Sequence, residues 1–355
     1  MALPLCKSRL QSIVNGFPRL RLGVVGDFFL DAYFDCDPRL QETSLETGKA
    51  CHQVVRTRRQ AGAAGTVAAN LKALGVGSVE AVGFCGEDGE GFELRRTLER
   101  GGIDTSCFPS VPDRCTPTYT KPCVVRSVSG KRQWAVVEEM SRLDIKNRRP
   151  TPVALQRRLM NFVADGLNRW DGMIVVDQAN EPNCGVITSR VRRFLAAQSR
   201  LDPDFVALAD SRERIGEFRY LALKPNQREA ANAMGAPPHR LSLRAAREHA
   251  QALSGRARRP VFLTMAEKGM LIADGNDVQE ARGFAVTGAI DPVGAGDSTS
   301  AALLASRACG ATLTEAAVVA NLVGSITVQQ LGTTGTASPV QLLKRFDEVS
   351  RPNAA

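Results

Sequence analysis

Short apolar runs, each followed by a stretch of helical periodicity, recur along the 355-residue chain, and this alternation constrains the fold more than any other feature. Arg21 to Val25 reads as a buried strand that breaks at Gly26-Asp27. Thr66 to Leu74 reads as a helix ending at Gly75, where glycine supplies a left-handed cap. Val79 to Phe84 is a second strand, and Gly91 to Arg100 a helix stopped by Gly101-Gly102. Met173 to Val176, Phe205 to Ala209, Tyr220 to Leu223 and Val261 to Leu263 repeat the pattern. A strand returns parallel to its neighbour only through a long crossover, usually a helix. The alternation therefore predicts an α/β fold, with a mainly parallel sheet covered by helices on both faces.

Two stretches break the rhythm. Phe34 to Arg59 and Thr116 to Val137 are strand-like and lack intervening helices, with alternation in Thr118 to Val125 and Gln133 to Val137. They are expected to form antiparallel strands projecting as a small β lid over one end of the sheet. No internal repeat divides the chain, so residues 1–355 are expected to form one domain, with Ser350 to Ala355 a loose tail.

Charge narrows the partners. Lysine and arginine number 46 against 37 acidic residues, a net charge of +9. Such an excess suits nucleic acid, a membrane surface or phosphorylated small molecules. The basic residues are scattered, however, with short clusters at Arg56 to Arg59, Lys146 to Arg149 and Arg256 to Arg259, and aromatics are only 5% and do not interleave with them. A stacking platform for single strands is absent, the clusters read as solvated surface, and no nucleic-acid partner is expected. Nine cysteines form no Cys-x-x-Cys pair, an odd, scattered set that suits a reducing cytoplasm. His52, His239 and His249 lack metal-ligand spacing with them, so no zinc site is expected. No apolar run approaches the ~20 residues of a membrane helix. Met1 to Asn15 has no apolar core of a signal peptide, and a soluble cytoplasmic protein is expected.

The segment richest in chemistry is Asp291-Pro292-Val293-Gly294-Ala295-Gly296-Asp297, ahead of the small-residue run Ser298 to Ser306. Gly294 and Gly296 allow the backbone close to a ligand, and the helix that follows offers unpaired N–H groups and a positive dipole end. Those donors suit the charge of a transferring phosphoryl group. Asp297 has two readings: a base that takes a proton from an attacking hydroxyl, or an N-cap that bonds backbone amides. No Gly-x-x-x-x-Gly-Lys-Ser/Thr stretch exists, and the turn at Gly23 to Gly26 lacks the third glycine of a dinucleotide fingerprint. Lys121 and Arg142, on the expected lid, read either as contacts for substrate or phosphate or as solvated charges.

Taken together these motifs resemble the ribokinase-like sugar kinases, the phosphofructokinase B family. Gly26-Asp27 and Asp31 look like its sugar-binding turn, and Gly62 to Gly75 like its first signature, a glycine-rich turn running into a helix. Asn226-Gln227-Arg228-Glu229 is similar to its Asn-x-x-Glu element, linked to magnesium and phosphate, and Asp291 to Asp297 to its second signature, whose last aspartate is the base. Gly26 to Asp31, Lys224-Pro225-Asn226, Glu267-Lys268-Gly269-Met270 and Ala320-Asn321-Leu322 also resemble the kinase half of the bifunctional heptose kinase/adenylyltransferases. The resemblance implies a ribokinase-like three-layer sandwich and an ATP-dependent kinase acting on a hydroxyl of a sugar or sugar phosphate. It implies Asp297 as base with Gly294, Ala295 and Gly296 around the phosphoryl group. Asp27, Asp31, Gly62, Ala63, Thr66 and Lys121 would face the acceptor. Lys224, Asn226, Glu267, Gly269 and Asn321 would face the nucleotide, and Asn226 and Glu229 would hold Mg2+ through water. A monovalent cation such as K+ near Asp291 and a homodimer through the lid follow from the same resemblance.

Bland readings stand beside these roles: turn acids for Asp27 and Asp31, a helix N-terminus for Asn226 and Glu229, and a helix contact for Asn321. The chain also departs from the pattern. Gly62-Ala63-Ala64-Gly65-Thr66 stands where Gly-Gly-Ala-Gly-Asn is usual, and Pro292 where threonine is common. Asp177-Gln178-Ala179-Asn180 lacks the lysine of the heptose branch. These departures keep open a kinase for an unphosphorylated sugar or nucleoside, and a catalytically weak binder of the same fold.

Overall fold

The computed structural model describes residues 4–127, 134–237 and 241–350. At its centre lies an eight-stranded sheet. From one edge its order is Asp277–Arg282, Gly269–Asp274, Val261–Thr264, Ala222–Leu223, Val206–Ser211, Gly172–Asp177, Arg21–Gly26 and Ser78–Val82. The last six run parallel, and the first two form an antiparallel hairpin that closes the edge. Every residue of Gly172–Asp177 is buried, which is why the central strands read as continuous apolar runs rather than alternating ones. One apolar layer packs Leu71, Leu304 and Val319 against one face; the other packs Val163, Leu195 and Leu253 against the opposite face. The α/β three-layer sandwich expected from the alternation is the architecture observed.

Boundaries moved where the backbone leaves the extended region. Tyr220 has a left-handed φ of +62°, so the strand expected from it begins only at Ala222. Gly75, with φ +88°, ends the helix Ala64–Ala73 one residue beyond its cap, as its position in the sequence indicates.

The lid is larger than expected and starts earlier. Phe28–Cys36 forms its spine, paired antiparallel with Val54–Ala63 and parallel with Thr118–Ser127. Trp134–Glu139 and Leu143–Ile145 pair antiparallel with Thr118–Ser127. The lid therefore begins at Phe28 instead of Phe34 and extends to Ala63 and Ile145. Phe28, Phe29 and Leu30 are buried in sequence, so no alternation marks them as a sheet face. The parallel pairing corrects the wholly antiparallel expectation. It is possible because the chain between Cys36 and Thr118 passes through the central sheet, a long crossover. The middle of the stretch 34–59 forms a separate ribbon, Glu42–Thr43 with Ala50–Cys51. Gln133, His239 and residues 351–355 of the expected tail lie outside the described residues; Ser350 ends the helix Pro339–Ser350. Among the described residues no helix is long and apolar enough to cross a membrane, and the nine cysteines are free.

Candidate active site

The parallel strands deliver the loops at their carboxyl ends to one end of the sheet, the usual ligand-binding end of such a fold. Into it points the N-terminus of the helix Ala295–Ala308. Gly294 is the N-cap, with φ +78°, and a Cβ there would lie 3.2 Å from the Thr334 side chain. The angle favours glycine, and the space leaves little room for a side chain. The Ala295 amide donates to the Pro292 carbonyl at 3.1 Å, so Ala295 does not present the free donor expected of it. The amides of Gly296 and Asp297 have no acceptor among the described residues and stay available to a ligand.

Asp297 is the third residue of this helix, so the capping alternative fails: the cap is Gly294. Its half-buried carboxylate accepts no hydrogen bond from a described residue. Burial and then the negative charge of Asp210 push it up to about 7, against the opposing pull of Lys224 and Arg212. A carboxylate so placed takes up and releases a proton near neutral pH.

Lys224 lies directly after the short strand Ala222–Leu223 and is almost wholly buried. Its Nζ stands 3.1 Å from Asp210 Oδ2, and 3.8 Å from where a Cβ on Gly296 would sit. The ammonium thus borders the free amides. Burial acts to lower its pKa, but Asp210, Glu229 and Asp297 outweigh it, and the net shift is upward. Ser300 Oγ donates to Asp210 at 2.8 Å, fixing this carboxylate from the same helix that carries Asp297.

Asn226 and Glu229 form a capping box on the helix Gln227–Ala233. The Asn226 amide donates to Glu229 Oε2 at 2.8 Å, and the Glu229 amide to Asn226 Oδ1 at 2.9 Å. The helix-terminus reading therefore describes their direct contacts. Glu229 is not on a solvent face: burial, then Asp210, push it up to about 7. Among the described residues no group of three or more His, Cys, Asp or Glu side chains is placed to hold a metal directly. The donor set fits a magnesium carried by nucleotide phosphates and water, near the second oxygen of Glu229.

Near enough for the Asp31 charge to act on Asp297, the lid brings Asp31, Lys121 and Tyr33 together. Lys121 Nζ lies 3.3 Å from Asp31 Oδ1 and 3.1 Å from the Tyr33 hydroxyl. Gly62 has its own reason to lack a side chain, since a Cβ there would stand 2.8 Å from Asp31 Oδ2. Asp31 is on a strand of the lid, not in a turn, and its charge is among those acting on Asp297. Asp27 is differently employed. Its carboxylate accepts the amides of Gln178, Ala179 and Val186 at 2.9, 2.9 and 2.7 Å, fastening the loop after Gly172–Asp177. Burial, then the Asp177 charge, push it up to about 6. Thr66 donates to the Ala61 carbonyl at 3.2 Å, and Ala63 holds a left-handed φ of +53° at the start of its helix.

The remaining sequence candidates have contacts of their own. Asn321 Nδ2 donates to the carbonyls of Ala281 and Arg282 at 2.9 and 3.1 Å, a helix-to-hairpin tie. At Gly269, a Cβ would be 2.3 Å from the Ala281 carbonyl oxygen, so close strand approach explains the glycine. Glu267 lies exposed on the turn before it. Arg142 pairs with Asp144 at 2.6 Å and stacks 4.1 Å over the Tyr119 ring. Sequence reasoning missed Asp210 and Arg212. Their signal was an acid and a base at the carboxyl end of the buried run Phe205 to Ala209, where parallel sheets place ligands.

Residues 24–340 match the model of the pfkB family carbohydrate kinases. The bifunctional protein HldE of Trichlorobacter lovleyi is 28% identical over 339 residues, covering 95% of this chain and 65% of that protein. HldE of Nitrobacter hamburgensis is 30% identical over 327 residues, covering 91% and 63%. The chain thus spans about two thirds of the length of these relatives, or slightly less. In structure it is similar to Arabidopsis thaliana ribokinase complexed with ribose and ATP, at a TM-score of 0.64 and 18% identity, covering 92% and 98% of the two chains. Escherichia coli phosphofructokinase-2 in complex with fructose-6-phosphate gives 0.67 and 16%, covering 94% and 100%. These likenesses establish a ribokinase-like fold, and the family match over most of the sequence makes the chain a member of the pfkB family of carbohydrate kinases.

Proposed function

We propose that the chain transfers the γ-phosphoryl group of ATP to a hydroxyl of a sugar or sugar phosphate, as a heptose-7-phosphate-kinase-like enzyme would. The observation that carries this reading is Asp297: an uncapped carboxylate, pushed to about 7, beside free amides and a buried ammonium. The acceptor would lie between Asp31, Lys121 and the turn at Gly62, its hydroxyl toward Asp297. Asp297 takes the hydroxyl proton as the oxygen attacks the γ-phosphorus and the bond to the β,γ-bridging oxygen breaks, so that ADP leaves; the Gly296 and Asp297 amides with Lys224 stabilise the charge on the transferring group. Magnesium bound with ATP would neutralise phosphate charge, and Asn226 and Glu229 are the residues that would hold its waters. E. coli phosphofructokinase-2 has been obtained in complex with potassium, which supports a monovalent cation near Asp291. Asp291 already clasps the two turns there, accepting the amides of Val293 and Gly332, each at 3.0 Å. Val137 and Leu143, 56% and 66% exposed on adjoining lid strands, support a homodimer through the lid.

The test is ATP consumption with heptose 7-phosphate, hexose phosphates, free sugars and nucleosides offered in parallel. Turnover that depends on a sugar or sugar phosphate is the expected result, and nucleoside-dependent turnover would move the acceptor class. A second reading, a weakly catalytic binder of the same fold, is favoured by the engagement of Asp27 and Thr66 with the chain's own backbone. Binding of ATP and sugar without acceptor-dependent turnover would select it and remove the kinase reading.

A further inference from the structure

The basic cluster Arg256 to Arg259 has no part in the site above, yet it is not simply solvated surface. Arg258 and Arg259 rim a cavity of about 250 Å³ at the opposite end of the central sheet, with Arg307 as a third arginine. Phe205, Phe262 and Leu304 supply apolar surface to a lining that is also polar. A cavity of roughly 150 Å³ accommodates benzene, so this one has room for a larger planar body.

Two independent features mark it as more than a packing gap. First, no carboxylate of a described residue forms an ion pair with any of the three arginines. Their donors go to neutral oxygens. Arg258 Nη1 reaches the Tyr220 hydroxyl at 3.3 Å, Arg259 reaches the carbonyls of Tyr220 and Ser199 at 3.2 Å each, and Arg307 reaches that of Ala311. Asp204 and Asp274 also border the cavity, leaving three guanidiniums against two carboxylates. Burial holds the Arg307 guanidinium below its ordinary value, which Asp274 only partly offsets.

Second, the rim is strained. Tyr220 and Arg258 have φ of +62° and +56°, two of the five non-glycine residues with positive φ among those described. Such conformations cost on the order of 1–3 kcal/mol and persist where the surroundings impose them, often at ligand clamps. Here the Tyr220 amide is held by the Ala257 carbonyl at 2.7 Å, and the Arg258 amide by the Ser254 carbonyl at 2.8 Å. Leu304 and Arg307 belong to the helix Ala295–Ala308, so one rigid element borders this cavity at one end and carries Asp297 at the other.

We propose that this cavity binds a small organic anion with a flat apolar body. Its phosphate, sulfonate or carboxylate group meets Arg258 and Arg307, and its ring lies over Phe205, Phe262 and Leu304. Anilinonaphthalene sulfonate has this chemistry and reports its own binding by fluorescence. Titrated into the full chain, it is expected to saturate one site per chain. Arg258→Gly should weaken that binding about tenfold, the loss of one charge-assisted contact. The thermal midpoint should not fall, because glycine suits the left-handed cap. Arg258→Lys should restore most of the affinity. Absence of a saturable site, or equal affinity in the parent and Arg258→Gly, overturns the proposal. Should Arg258→Gly fold poorly, Arg307→Gln decides the matter by the same criterion.

Discussion

At the carboxyl end of the central sheet, Asp210, Glu229 and Asp297 crowd one buried ammonium, that of Lys224, whereas the lid pairs its charges off. Asp31 has Lys121 at 3.3 Å, Asp35 has Arg56 and Arg58 at 2.6 and 3.0 Å, and Asp144 has Arg142 at 2.6 Å. Burial is common to both regions; compensation is not. Two carboxylates at the sheet end are pushed to about 7, while the guanidiniums around Asp35 overcome its burial and hold it below its ordinary value. The excess of negative charge sits where the proposed proton transfer would occur, and the neutralised pairs sit where strands must stay in register. If that contrast is functional, the two ends will respond differently to substitution. The largest difference is expected at Asp297. Asp297→Asn removes the proton acceptor and should lower kcat on the order of 10³-fold while ATP still binds, read by steady-state kinetics beside a nucleotide titration. Near-full turnover in that variant would abolish the base assignment.

Lys224 tests the same contrast through stability. Lys224→Met leaves Asp210 buried without its cation and Glu229 and Asp297 without their moderating charge. Removal of one partner from a buried pair typically costs about 3 kcal/mol or more. Urea unfolding should show a loss of that size. A change under half as large would mean that water, not Lys224, compensates the cluster.

Much of this arrangement can be read from residues, and the portion that cannot has physical causes. Gly294 and Gly296 announce the turn because few other residues tolerate such backbone, and Asp297 follows them by position. The central strands announce themselves because parallel strands are apolar on both faces. Phe28 to Leu30 carries the same apolar signal although it belongs to the lid, so burial there hides the change of sheet. Asp27 and Asp31 illustrate a different limit. The sequence places both at the end of the first strand, but only register decides that Asp27 fastens a loop through three amides and Asp31 faces Lys121. Asp210 was overlooked for want of a partner in sequence. Lys224 and Ser300, which give it meaning, are brought to it only by the crossovers of the sheet.

Opposite pKa shifts at the two ends predict opposite pH dependences. Asp297 and Glu229 are raised in the folded chain to about 7, from ordinary values of 3.8 and 4.5. Between those limits the native state keeps protons that the unfolded state has released. Their contribution is therefore complete in acid and disappears as pH rises through about 7. Asp35 is lowered, so its contribution is present above the ordinary carboxylate range and disappears as pH falls through its folded value. Asp297→Asn combined with Glu229→Gln should reduce the decline in stability between pH 5 and about 7, followed by thermal unfolding, with Asp27 supplying the part that remains and the acid limb intact. Asp210→Asn should move the rising limb of kcat/KM to lower pH by about one unit, since a negative neighbour of Asp297 is removed. A shift to higher pH would contradict the electrostatic picture of this end.

The smallest effect comes from exchanging glycine between the two regions. Ala63 has φ +53° and ψ −119° at the junction of the lid strand Val54–Ala63 with its helix, a region that side chains avoid. Strain of this sort costs about 1–3 kcal/mol, and glycine would relieve it while losing roughly 0.5–1 kcal/mol to the greater freedom of the unfolded chain. Ala63→Gly should therefore stabilise the chain by about 1 kcal/mol. It should leave Asp31 undisturbed, because that carboxylate rests against Gly62. Gly294→Ala is the mirror experiment: it adds a Cβ at φ +78° and 3.2 Å from Thr334, so it should destabilise, and it should also impair turnover by shifting the amides of Gly296 and Asp297. A lower melting temperature for Ala63→Gly would show that the methyl at this position is held by packing strong enough to outweigh its backbone, and that the lid junction is shaped around a side chain where the turn at Gly294 is shaped around the lack of one.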